Sequence, residues 1–392
     1  MNLKSIFKAA ALCTVAFAAI SCSAPTKEQI AEKELQEIVK QNEAIGLAVV
    51  AVKDGEIVYN KSLGYKDFEN KTPLGDNDIF RIASISKSFT ATGIMQLVEQ
   101  GKLDLDTDVS DLVGFKVRNP KYPKVPITVK MLLSHSSSMN DANGYFTINA
   151  INPDSSATWQ TAYNDYEPGS KYEYCNLGYN TLGTILERVS GERFDKYIVN
   201  NILNPLGVYG GYEVLSLDST KFVKIYSYDK ADSTFTHSPA AYATREEEIK
   251  NYVFGHSTPV FSPTGGLKIS ALDLAKVMMM HMNNGSLDSV KVISEESAQL
   301  MQTPAIEPTD EGDGYGFAIR ISNQLLDGYK MIGHTGGAYG VFTSMFWDAD
   351  KNFGFVVMTN GCNGRTNNNF MAIHRECAAC LYKNFVKEEE NK

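Results

Sequence analysis

The sequence predicts an α/β (α+β) fold: one antiparallel sheet built from both chain ends and flanked by helices, with an all-helical lobe over residues 83–280 inserted between its halves. Three observations predict it. Apolar runs joined by tight turns cluster at residues 46–62 and again at 315–359. Amphipathic patterns with helix caps fill the middle. No internal repeat or Pro/Gly-rich linker divides the chain, so residues 27–387 read as one composite domain before a polar tail at 388–392.

Residues 27–43 put Ala31, Leu35, Ile38 and Val39 on one side and charges elsewhere, the period of an amphipathic helix. Gly46–Val52 and Ile57–Ser62 are apolar runs joined by Lys53-Asp54-Gly55-Glu56, and Asp-Gly between such runs is a hairpin turn. The helices follow. Ser84–Gln100 closes on Gly101, a C′ glycine; Val129–Leu133 follows Thr128 as N-cap; Leu177–Val189 ends before Gly191; Leu272–Met282 follows Ser270 and stops near Gly285. Tyr315–Ser322, Tyr329–Ile332, Val341–Trp347 and Phe353–Thr359 read as strands, the last two joined by a turn short enough to force antiparallel pairing. A final helix is predicted over 369–385.

The chain has 392 residues, 43% hydrophobic and 21% charged, with a formal net charge of −9. That composition excludes disorder and a coiled coil, and the acidic balance excludes a duplex-binding face, so nucleic acid is not an expected partner. Lys4 and Lys8 precede an apolar run from Ala9 to Ile20 that is too short to span a bilayer. Residues 1–21 therefore read as an export signal, with 22–26 as a tether. Ala19-Ile20-Ser21-Cys22 resembles the lipobox of bacterial lipoproteins, which implies lipidation at Cys22, a membrane link through that anchor only, and residence in the bacterial cell envelope. Of the other cysteines, Cys377 and Cys380 form a C-x-x-C inside the predicted last helix, which reads as a helix face rather than a redox or metal site.

Chemistry enters with three short patterns. Ser84-x-x-Lys87 sets two side chains one helical turn apart, so that an amine can accept or steer the serine proton. The same spacing recurs at Ser5/Lys8 and Ser227/Lys230, but only Ser84 opens a long apolar helix, where N-terminal N–H groups meet a developing oxyanion. Tyr174-Cys175-Asn176 supplies a phenol and an amide directly before a helix; a second Tyr-x-Asn lies at Tyr382/Asn384. His334-Thr335-Gly336-Gly337 ends a strand, and its glycines permit a substrate to approach the main chain.

In chain order, Ser84-x-x-Lys87, Tyr174-x-Asn176 and His334-Thr335-Gly336 resemble the serine penicillin-recognising hydrolases: the class C β-lactamase, D-alanyl-D-alanine carboxypeptidase and family VIII esterase group. The resemblance runs from about Glu43 to Cys362 and takes in Leu132–Ser138, Asn204–Gly207 and Thr264–Leu267. It implies a β-lactamase/transpeptidase-like fold and an acyl-enzyme at Ser84, with the backbone N–H groups of Ser84 and Gly337 holding the oxyanion. Tyr174 and Lys87 share the base role: a cationic Lys87 would lower the phenol's pKa, while burial favours neutral amine and neutral phenol. Asn176 is expected to donate to the substrate or orient Lys87, and His334 to steer or protonate the leaving group, with Thr335 and Gly336 lining the cleft.

Three departures bear on substrate. His334 stands where β-lactamases have Lys, so a permanent cation is absent and β-lactam hydrolysis is disfavoured; Cys175 replaces a common Ser and Ser138 a common Gly. His135 reads as packing, and Tyr209, Tyr212, Tyr226, Tyr228, Tyr242 and Tyr252 as half-buried strand positions rather than cleft lining. His256, His281 and His374 lack metal spacing, so no metal or cofactor is expected. The expected activity is hydrolysis of a D-amino-acid peptide or small ester. Acyl transfer to an alcohol or amine, and a non-catalytic penicillin-binding sensor, are the alternatives.

Overall fold

The computed structural model describes residues 24–306, 313–348 and 350–388. The leader, Cys22 and most of the polar tail lie outside the described residues. Helix α1 (Lys27–Gln41) opens on a capping box, in which the Thr26 hydroxyl accepts from the Gln29 N–H and the Gln29 side chain accepts from the Thr26 N–H. Strands β1 (Gly46–Lys53), β2 (Glu56–Asp67) and β3 (Thr72–Pro73) follow. The middle of the chain holds α2 (Ser86–Glu99), α3 (Asn176–Ser190) and α4 (Ala271–Met282). Then come β4 (Gly314–Tyr315), β5 (Arg320–Ser322), β6 (Met331–Ala338), β7 (Val341–Asp348), β8 (Phe353–Thr359) and α5 (Ala372–Leu381).

These eight strands form one antiparallel sheet in the order β4-β5-β6-β7-β8-β1-β2-β3. The two chain ends meet at its centre, where Val50 of β1 lies opposite Val356 of β8. Up to their last residues, Lys53 and Thr359, both strands are apolar because both faces are covered. Leu47, Val49 and Ala51 face α1 and α5, packing with Leu35, Ile373 and Leu381; Ala48, Val50 and Val52 face the opposite core with Leu274 and Met278 of α4. Each fully buried Leu or Phe in these layers contributes about 2 kcal/mol. Cys377 and Cys380 sit in the first of these cores as free thiols, as does Cys362, and Cys175 is free and buried in the second.

Four expectations are corrected. Residues 315–322 are not one strand: Gly316–Ile319 turn between β4 and β5, and the turn needs glycine because a Cβ at Gly316 would meet the Met301 carbonyl at 2.1 Å. The strand after it begins at Met331 and runs through Ala338, so His334–Gly337 lie inside β6 rather than at a strand end. The last helix starts at Ala372, because Asn368 and Asn369 take left-handed φ values of 47° and 60° in a hairpin joining Thr366–Asn367 to Phe370–Met371. Finally, the inserted segment is not all helix. It contains a Tyr226–Asp229/Thr234–His237 hairpin and the short strands Gly210–Gly211 and Lys268–Ile269, which form a small sheet with Phe80–Arg81 just ahead of the segment, and α4 packs on the main sheet against β1, β7 and β8. Two-residue strands carry no periodic signal.

Candidate active site

Ser84 sits not in α2 itself but in a tight 3-10 turn, Ala83–Ile85, that feeds it. Ala83 holds φ at 48°, a strained value for a residue with a Cβ. The turn is clamped from below: Ile82 N–H donates to the Leu267 carbonyl at 3.0 Å, and the Thr343 hydroxyl donates to the Ile82 carbonyl at 2.9 Å. Strand β6 crosses directly over it. A Cβ at Gly336 would lie 2.2 Å from the Ile82 oxygen, so glycine is required there. Strand β5 pairs only with Met331–Gly333, so among the described residues the edge of β6 from His334 onward has no strand partner. Gly337 on that edge lines a cavity of about 420 Å³ with Ser84, Tyr174, Asn176 and Thr264.

Lys87, one turn along on α2, is fully buried beneath the serine. Its Nζ lies 3.1 Å from Ser84 Oγ, 2.9 Å from Asn176 Oδ1 and 3.0 Å from the Thr264 carbonyl. Burial lowers its pKa to about 7, against the opposing pull of Asp141. A neutral amine has two N–H donors and one lone pair. In that form the carbonyls of Asn176 and Thr264 would take the two donors and leave the lone pair for the serine hydroxyl, whereas the protonated amine donates to all three. Burial pushes the Tyr174 phenol up instead, offset in part by the facing Ser84 hydroxyl. Lys87 Nζ stands 4.6 Å from the Tyr174 ring centroid, over the ring. Burial thus favours the neutral phenol and brings the amine to about half neutral near pH 7.

Two positioning residues carried no sequence signal. Asp141, in the loop after the Ser134–Ser138 stretch, caps α3: its carboxylate accepts from Asn176 N at 3.1 Å and Leu177 N at 2.9 Å. It also accepts from Asn176 Nδ2 at 2.8 Å, which turns Oδ1 toward Lys87 and toward the Thr264 hydroxyl at 2.7 Å. Asn176 therefore orients Lys87. The buried Cys175 thiol donates to the same carboxylate at 3.5 Å. The second is Tyr315, whose hydroxyl lies 3.0 Å from His334 Nε2.

That contact corrects the expectation for His334. The ring is buried, its pKa lowered by burial to about 3, and its Nδ1–H donates to the Thr335 carbonyl at 2.5 Å. With Nε2 accepting from Tyr315, no nitrogen remains for a leaving group, and neither His334 nor Thr335 lines the cavity. The His334 ring stands behind Tyr174, with ring centroids 6.3 Å apart. His135 belongs there too: its Nδ1 accepts from Cys175 N at 3.1 Å and its ring lies 4.3 Å from that of Tyr174, a packing role as expected. Ser138 holds a left-handed φ of 59°, which explains the glycine common at that place. Of the tyrosine-rich stretch, Tyr226 and Tyr242 are structural, while Tyr212 borders a neighbouring cavity.

A family profile described as Beta-lactamase matches residues 31–378. The chain belongs to that family. Penicillin-binding protein 4* of Bacillus subtilis is 28% identical over 320 residues, covering 80% of this chain and 67% of that protein. Protein flp of Staphylococcus aureus strain N315 is 24% identical over 346 residues, which is 85% of this chain; the match spans 63% of flp's length. Among solved structures, the octameric penicillin-binding protein homologue from Pyrococcus abyssi superposes with a TM-score of 0.72 at 28% identity, over 90% of this chain and 77% of that one. The D-amino acid amidase from Ochrobactrum anthropi, at 18% identity, shares the fold with a TM-score of 0.69, over 92% of this chain and 100% of that one. The β-lactamase family is one of serine hydrolases, and the antiparallel sheet with flanking helices is its fold.

Proposed function

We propose that the chain is an exported serine hydrolase that forms an acyl-enzyme at Ser84 with a D-amino-acid peptide or small ester. The observation that carries this is the Lys87 amine, buried 3.1 Å from the Ser84 hydroxyl with its proton affinity lowered to about 7. Lys87 takes the Oγ proton as Oγ bonds the substrate carbonyl carbon, and the resulting oxyanion accepts from the N–H groups of Ser84 and Gly337. The leaving group departs with a proton relayed from Lys87 past the neutral Tyr174 hydroxyl. Water then attacks the ester carbonyl and returns the proton to Oγ. The neutral, engaged His334 offers no cation to a β-lactam carboxylate, which weighs against β-lactam hydrolysis.

The leader with Lys4 and Lys8, and the Cys22 lipobox, support an envelope protein tethered by lipid. Turnover of D-alanyl-D-alanine peptides, D-amino-acid amides and 4-nitrophenyl esters, by wild type and Ser84→Ala, tests the reading. Hydrolysis of at least one class, lost about 1,000-fold or more in Ser84→Ala, is expected. Full turnover by Ser84→Ala would overturn it. Added methanol that diverts product to methyl ester would make the chain an acyltransferase.

A further inference from the structure

Beside the Ser84 cavity lies a second one of about 360 Å³, and Arg81, Ser262 and Tyr339 line both. Arg81 and Lys268 are direct cross-strand partners in the small sheet, so their side chains leave it on the same face, into this cavity. Two cations so placed repel each other, and among the described residues neither forms an ion pair. Lys268 is 3% exposed, and its Nζ makes one hydrogen bond, to the Tyr212 carbonyl at 2.5 Å. Arg81 donates from Nη1 to the Ala241 carbonyl at 3.1 Å, while its Nε is buried without a partner. The carboxylates on the same wall are engaged elsewhere: Glu213 with Arg193 at 2.7 Å, and Glu248 with Arg245 at 3.1 Å. Burial and the neighbouring guanidinium both lower the proton affinity of Lys268, a cost that a bound anion would reverse.

We infer that this cavity is a subsite for an anionic group, a carboxylate carried by the substrate, held between Arg81 and Lys268 while the scissile carbonyl rests at Ser84. The inference rests on the Ser84 acyl-enzyme reading. Its chemistry is charge-assisted hydrogen bonding in a desolvated pocket, where one missing partner is felt strongly.

The test compares three esters: 4-nitrophenyl butyrate, 4-nitrophenyl hemiglutarate with the carboxylate on the acyl side, and the butyryl ester of 4-hydroxybenzoate with it on the leaving side. Wild type should favour one anionic ester over the neutral one by about tenfold in kcat/KM, chiefly through KM, and that ester names the side. Lys268→Met should remove the preference while leaving the neutral ester within about twofold, and Lys268→Arg should restore it. Equal handling of all three esters by wild type, or equal loss on all three in Lys268→Met, overturns the subsite. Calorimetry on Ser84→Ala with glutaric acid monoanilide and neutral butyranilide decides the same point without turnover. Tighter binding of the acid, lost in Lys268→Met, supports the subsite even if no ester acylates Ser84, an outcome that would overturn the hydrolase reading alone; equal binding of the two anilides overturns the subsite.

Discussion

Raising the pH from about 6 to about 8 is expected to speed acylation of Ser84 roughly tenfold and then leave it flat. The perturbation acts on Lys87, whose amine is held by burial at a pKa of about 7. At that value about one tenth of the lysine is neutral at pH 6 and about nine tenths at pH 8. Because the base form is the neutral one, activity rises with pH through 7 and saturates above it. Single-turnover acylation by a chromogenic ester under stopped flow, with enzyme in excess, isolates the step from deacylation. The Tyr174 alternative predicts otherwise: burial pushes that phenol upward, so a phenolate base would make the rate climb about tenfold per pH unit well past pH 9. A log-linear rise from pH 6 to pH 10 with no inflection near 7 would refute the assignment of Lys87 as base.

Other expectations follow the same geometry. Asp141→Ala removes the α3 cap and frees the Asn176 amide; it should cost about 1 to 2 kcal/mol in denaturant unfolding and lower kcat more than it raises KM. Gly336→Ala drives a methyl into the Ile82 carbonyl, so acylation should be lost with Ser84 and Lys87 intact, read by trapping with a fluorophosphonate. Tyr315→Phe strips the partner of His334 Nε2 and should lower stability by about 1 kcal/mol in the same denaturant experiment. His281 and His374 are buried with pKa values lowered from 6.5 to about 4, so the unfolded chain binds more protons than the native one between those values. Melting temperature should therefore fall as pH drops from 6.5 toward 4, by up to about 3 kcal/mol of stability per histidine, and His281→Leu should flatten the profile.

Long elements with a strong period were legible in the sequence, and so was their arrangement. The apolar runs of β1 and β8 pointed to a sheet closed by both chain ends, and the pairing of Val50 with Val356 is that closure. Ser84, Lys87, Tyr174, Asn176 and Gly337 were found from spacing and resemblance, and they surround one cavity or lie directly beneath it. What escaped was set by tertiary contact. Asp141 reaches Asn176 across 35 residues of chain, and nothing local marks a lone aspartate as a helix cap. His334 stands in the expected motif, yet its role depends on Tyr315, 19 residues away, which claims its second nitrogen. Gly336 and Gly337 of β6 looked like residues beyond a strand because glycine weakens strands in isolation; here they lie in its last three residues, where Gly336 lets the strand cross the Ser84 turn.

The most direct measurement is intact mass and peptide mapping after incubation with a fluorophosphonate, run on wild type and on Lys87→Met. One adduct on Ser84 in wild type, formed at least about 100-fold more slowly in Lys87→Met, is the predicted result. No adduct at a dose that labels a control serine hydrolase, or an adduct on another serine, would contradict the account.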